Sequence, residues 1–149
     1  MRNALLVIHI ISVAAWLGGN ITLSFAGSTV RNADVAARRW WAATQGAMAR
    51  TYFNVAGILV LLTGIGLVLD GPWEFSNVFV TIGFVAVIVG ALLGIFVFGP
   101  GCRQLVEAID AGDEAQEASL MNRMATAGAV DSAVIVIAMV AMVASWGFP

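Results

Sequence analysis

The sequence predicts an all-α fold, a polytopic membrane protein built as a bundle of four transmembrane helices, and three observations carry that prediction. Four apolar runs, at about 4–26, 51–69, 77–98 and 127–146, each reach the ~20 residues that a helix needs to cross a bilayer. The composition is 60% hydrophobic and 11% charged, against about 25% charged in an average soluble domain. The arginines gather in the two longer connectors, as expected when guanidinium groups are retained in cytoplasmic loops. The spans fill more than half of the 149 residues, so any chemistry belongs within or beside the helices. A net charge of −2 argues against a nucleic-acid partner and leaves membrane lipids as the surroundings. The single Cys102 excludes an internal disulfide and a cysteine-pair zinc site, and reads as a small buried or interfacial residue.

Span 1, ALLVIHIISVAAWLGGNITLSFA, holds the chain's only histidine, His9. The SFA at 24–26 resembles a signal cleavage site, but the apolar run exceeds the usual h-region of about 7–15 residues, so it is read as a retained span. An amphipathic interfacial helix is expected at about 33–49, with Asp34 and Arg38 spaced i,i+4 and the run Arg38-Arg39-Trp40-Trp41 at the headgroup level. Span 2 follows, then the short loop DGPWEFSN and span 3, with Pro72 and Pro100 at span edges where helices stop. A helical hairpin is expected at about 101–126, hinged at Gly112, with Asp113 and Gln116 forming a capping-box-like start for the last helix. Glu107, Asp110, Asp113, Glu114 and Glu117 read as a solvated acidic face or a docking surface for a basic partner. Trp73 and Trp146 mark the opposite interface. Arg31, Arg38, Arg39, Arg50, Arg103 and Arg123 lie in the two longer connectors and only Arg2 on the other side, which puts both termini outside the cytoplasm. The expected location is a cell inner membrane.

A polar side chain facing lipid is costly, so polar positions identify inward faces. At about 100° per residue His9, Ser12, Trp16 and Asn20 share one arc of span 1. Met124, Asp131, Ala138, Met142 and Ser145 share one on span 4. Counting from the outer helix ends at ~1.5 Å per residue, Asn20, Asn54 and Asp131 lie at one depth, about 24 Å in. They are expected to form a hydrogen-bonded inner layer. His9, Met142, Ser12 and Ser145 form an outer layer. The stripe Gly83, Gly90 and Gly94 and the pair Gly57 and Gly64 indicate close helix contact, or a flat wall against a planar cofactor.

An ionisable residue in a span is a functional candidate, and the alternative for His9 is a hydrogen-bonded bridge between helices. One histidine is too few for tetrahedral zinc or for bis-histidine haem within one chain. It leaves five-coordinate haem b, His/Met haem with Met142 or Met139, haem shared across a dimer, or copper(I) bound with thioether sulfur. Asp131 is a candidate proton or cation carrier, or a hydrogen-bonded structural acid. Trp16, near mid-membrane, needs an internal partner for its indole N–H or lines a cavity.

The pattern H-x6-W-x-G-G in span 1, VLLTGIGLVL closing span 2 and GPGCRQL after span 3 resembles small four-helix bacterial integral membrane proteins. These are similar to the copper resistance protein D family and, more remotely, to the membrane protoporphyrinogen oxidase. The resemblance implies a four-helix bundle in which the position of His9 binds a metal or haem-type group. The chain departs from the oxidase pattern in having no lysine and no second histidine. The function expected is therefore a small membrane protein that binds haem b or copper through His9, with Trp16 and Met142 beside it, for redox or metal handling. Two other classes stay open: an accessory subunit joining a homo-oligomer or larger complex through glycine faces, and a proton-coupled carrier using Asp131.

Overall fold

The computed structural model describes residues 1–147, with side chains through Ser145, so the interfacial role expected of Trp146 lies outside the described side chains. The helices are α1 (Arg2–Val30), α2 (Val35–Met48), α3 (Asn54–Leu69), α4 (Val78–Leu93), α5 (Gly99–Ala111) and α6 (Glu114–Gly147). Four continuous helices, Arg2–Val30, Val35–Leu69, Val78–Ala111 and Glu114–Ser145, are long and apolar enough to cross a membrane. The molecule is an all-helical, four-span bundle.

On α1 the buried residues are His9, Ser12, Trp16, Gly19 and Asn20, the stripe that period 3.6 selects. Its other faces present Val7, Ile8, Ile10, Ile11, Ile21 and Phe25, all exposed. Exposing so many large apolar side chains is unfavourable in water at roughly 1.5–3 kcal/mol each. In hydrocarbon that penalty disappears. α1 packs along α3 and α4 along α6, and contacts between α1 and α6 and between α3 and α4 close the ring. At one end α2 lies on α5 and α5 on the start of α6, forming a cap. The cap has its own core of Ala42, Cys102, Leu105, Ala108, Ile109, Leu120 and Met124.

In the cap, tertiary contacts replace several local pairings. Asp34 starts α2 by accepting from the Ala37 amide at 2.7 Å, so its carboxylate serves the helix N-terminus rather than Arg38. Arg38 instead pairs across the cap with Glu117 at 3.2 Å. Glu117 is 5% exposed, which corrects the solvated acidic face at that position: α6 turns it inward, and a buried carboxylate requires a partner. Asp110 remains on the surface and accepts from Arg39 at 2.7 Å. The chain enters α6 through Gly112, whose φ of 67° suits a residue without Cβ. The Gln116 amide then donates to Asp113 Oδ1 at 2.9 Å.

Two π-helical turns keep the long helices continuous, at Ala49–Phe53 and Gly94–Phe98. Pro100 therefore does not end a helix. Its missing N–H falls in the first turn of α5, directly after the Gly99 amide has bonded to Gly94 C=O, where no donor is required. The wide turn at 49–53 sets Tyr52 and Phe53 against α1. Tyr52 O–H donates to the Ala15 carbonyl at 2.8 Å, and a Cβ on Gly19 would lie 2.8 Å from Tyr52 Cε1. At the end opposite the cap, the Arg2 guanidinium sits 5.4 Å from the Trp73 ring centroid, tying the N-terminus to the 70–77 loop.

Candidate functional site

The polar residues of the bundle form two layers, each beside its own cavity. In the inner layer, nearer the cap, Asp131 of α6 reaches α1. Its Oδ2 accepts from Trp16 Nε1 at 2.9 Å and from Asn20 Nδ2 at 2.7 Å. The other oxygen, Oδ1, is buried and has no hydrogen-bond partner among the described residues. Trp16 occupies a slot made by two glycines. A Cβ at Gly90 on α4 would fall 2.7 Å from Trp16 Cη2, and one at Gly57 on α3 would fall 3.6 Å from Cζ3. The planar group that these glycines accommodate is the protein's own indole.

Asn54 does not join this cluster. Its Nδ2 donates at 3.0 Å to the Arg50 carbonyl in its own helix, and the residue is exposed. Depth along a helix fixes level but not direction, and the inward stripe of α3 runs through Ala56, Val60 and Thr63. Two residues from Ala56 is about 200° around the axis, away from that stripe. Asn54 shares only the wall of the larger cavity with Asn20 and Asp131.

In the outer layer His9 is 7% exposed, and its Nδ1 lies 2.9 Å from Thr63 Oγ1 on α3. Thr63 donates its own hydroxyl proton back to the Leu59 carbonyl of its helix. With that proton engaged the threonine oxygen can accept from His9 Nδ1–H, and this is the tautomer that leaves the Nε2 lone pair available. Gly64 gives the ring room, with a Cβ there falling 3.4 Å from His9 Cε1. His9 and Met142 both line an apolar cavity of about 280 Å³, together with Leu6, Gly83 and Phe84. A Cβ on Gly83 would meet the Met142 methyl at 2.8 Å. Met139 faces outward at 39% exposed, which removes it as the partner of His9. Ser12 turns its hydroxyl to the Ile8 carbonyl, and Ser145, exposed, turns to Met142 C=O. Neither serine offers its proton to the cavity.

Thr63 is the residue that sequence reasoning missed, although its place on the α3 stripe between Val60 and Leu67 was a usable signal. Among the described residues no group of three or more His, Cys, Asp or Glu side chains is gathered to hold a metal ion. Cys102 is buried in the cap core rather than at either layer. Fold and site together define a four-helix membrane protein with an imidazole layer and a carboxylate layer between its spans. No protein-family model, curated protein or solved structure matches the chain.

Proposed function

We propose that this is a small metal-handling membrane protein in which His9 Nε2 binds copper(I) in the outer cavity, with the Met142 thioether as the second soft donor. The observation that carries the reading is the contact of His9 Nδ1 with Thr63 Oγ1 at 2.9 Å, which suits the tautomer with a free Nε2 lone pair. A ligating imidazole commonly donates its other N–H to a fixed oxygen, which orients the ring and raises its basicity, and Thr63 Oγ1 occupies that position. Cavity size favours an ion over a macrocycle. At about 280 Å³ the space is at the lower edge of the roughly 300–1,000 Å³ typical of organic-ligand pockets. A haem-type group bound through the same nitrogen is the second form of this reading and requires the cavity to widen. The accessory-subunit alternative has less support, because Gly57, Gly64, Gly83 and Gly90 face Trp16, His9 and Met142 of the same chain.

Protein purified in detergent after expression with ample copper and haem should contain copper near one equivalent per chain. His9→Ala should remove it while leaving the bundle folded. Thr63→Val, which keeps shape but withdraws the oxygen, should weaken copper(I) about 10–100-fold in competition with a chromogenic chelator. A Soret band instead of copper selects the haem form. If neither copper nor haem is present in the wild type, His9 is a bridge between α1 and α3 and the proposal fails.

The cap is assigned to the cytoplasm, with both termini outside, because six arginines lie in or next to it and one at the other end. Single cysteines at Asn77 and Asn32 test this in intact cells with a membrane-impermeant thiol reagent. Position 77 should label, and preferential labelling at 32 inverts the orientation.

A further inference from the structure

The larger cavity, about 720 Å³, runs along all four spans on the cap side of Trp16. Leu61 and Val87 line both cavities and form the partition between them. From Arg50 to Leu61 the larger one follows its span for about 16 Å at 1.5 Å per residue. Half of a hydrocarbon core about 30 Å thick is about 15 Å, so the cavity is one leaflet deep. Arg50 stands at the headgroup end, because the apolar run of its span begins at Thr51 and the rise from Arg50 to Leu69 is about 28 Å. The wall is largely apolar, with Leu23, Phe53 and Phe98 beside Gly90 and Gly94. Among the described residues its charged groups are Arg31, Arg50 and Asp131. Asp131, 2% exposed and hydrogen-bonded to Trp16 and Asn20, presents almost no carboxylate to the space, so an occupant meets positive charge. Ser28 and Asn54 donate to backbone carbonyls of their own helices. Arg50, Asn54 and Ile58 on one span and Ala91 and Ile95 on the next line the cavity and are exposed, so it opens sideways between those spans toward lipid. The Arg50 guanidinium makes no ion pair or hydrogen bond among the described residues. Its Nη1 would lie 3.7 Å from a Cβ at Gly46, one turn nearer the cap, so the side chain rises toward the headgroup level. Arg31, exposed on α1, already donates to Asn122 Oδ1 at 2.7 Å.

We infer that this cavity binds one anionic phospholipid of the leaflet that meets the cap, with the phosphate on Arg50 and one acyl chain filling the slot down to Leu61 and Val87. The sideways opening lets the second chain and the rest of the headgroup stay in the bilayer. Free phosphate leaves the apolar wall unfilled, and a zwitterionic lipid brings its own cation beside the guanidinium. The site is separate from the His9 cavity, and the inference stands whether or not copper binds there.

The full chain in a neutral detergent is titrated with dioleoyl phosphatidylglycerol, dioleoyl phosphatidylcholine and inorganic phosphate, and bound molecules are counted by native mass spectrometry. Phosphatidylglycerol should saturate one site per chain, at least about tenfold more tightly than phosphatidylcholine. Inorganic phosphate should not displace it. Arg50→Gln should bring the two lipids within about twofold of each other, while Arg31→Gln and Arg123→Gln should keep the preference. Gly94→Leu should abolish stoichiometric binding of both lipids, because a Cβ at Gly94 meets nothing within 4 Å and the added side chain would occupy the slot. Equal affinities of the two lipids for the wild type, or binding that does not saturate at one per chain, would show an ordinary lipid shell and overturn the proposal. So would a preference that survives Arg50→Gln, or binding unchanged in a folded Gly94→Leu variant. Displacement by inorganic phosphate would show an anion site without an acyl slot and would overturn it as well. The comparison among probes on the wild type decides the matter even if a variant does not fold.

Discussion

Gly90→Ala is expected to destabilise the bundle by about 2–4 kcal/mol, although alanine is the better helix former. The new methyl would lie 2.7 Å from Trp16 Cη2, nearer still to Cζ2, and 3.1 Å from Asp131 Oδ1. Methyl and indole cannot both stay in place. The ring has little room to retreat, since Gly57 contacts its far edge and its N–H is held by Asp131. Displacement combines overpacking with the loss of a buried hydrogen bond, leaving an indole donor unsatisfied. Equilibrium unfolding in mixed micelles of mild detergent and SDS measures the effect. Gly18→Ala and Gly94→Ala are the controls, because a Cβ at either position meets nothing within 4 Å. Trp16→Phe should recover at least about 1 kcal/mol in the Gly90→Ala background, as coupled neighbours do. A loss below about 0.5 kcal/mol for Gly90→Ala, no larger than in the controls, would mean that the indole is not confined by this slot.

The glycines show what a sequence carries and what it withholds. Their spacing on α3 and α4 announces close approach. It does not say what approaches, because the approaching group belongs to a helix far away in the chain. The α1 stripe was legible for the opposite reason. His9, Ser12, Trp16 and Asn20 are isolated polar or amphipathic residues in an apolar helix, so one angular period is enough to place them inward. Asp131 could be placed by depth at the level of Asn20, and the two do meet. The same count failed for Asn54, whose amide turns to its own helix. Thr63 was hidden because threonines in membrane helices commonly bond their own backbone. Thr63 does so too, and that bond is what makes its oxygen an acceptor for His9. In the cap, the i,i+4 spacing of Asp34 and Arg38 gave way to a helix cap and a cross-cap ion pair. Local spacing describes an isolated helix, and packing α2 near α6 supplied Arg38 with a buried carboxylate that the spacing rule does not see.

Asp131→Leu should cost about 2–3 kcal/mol, and Asp131→Asn much less. Leucine keeps the branch at Cγ, with bulkier methyl groups, but removes the acceptor shared by Trp16 Nε1 and Asn20 Nδ2, leaving two donors without a partner in a span. Interhelical hydrogen bonds in membranes average only about 0.6 kcal/mol, since the separated helices also find partners. The larger figure here rests on two donors converging on one oxygen inside a packed core, where water is a poor substitute. Asparagine retains one oxygen that can accept from both donors. Removing the donors should also remove the penalty, so Trp16→Phe combined with Asn20→Leu should make a further Asp131→Leu nearly neutral. Denaturation of these variants in one micelle series separates hydrogen bonding from packing. If Asp131→Leu is as stable as the wild type within about 0.5 kcal/mol, or costs the same with and without the two donors, Asp131 is not the acceptor that joins α1 to α6. The closure of the ring between those helices would then rest on the shape of Trp16 in its glycine slot alone.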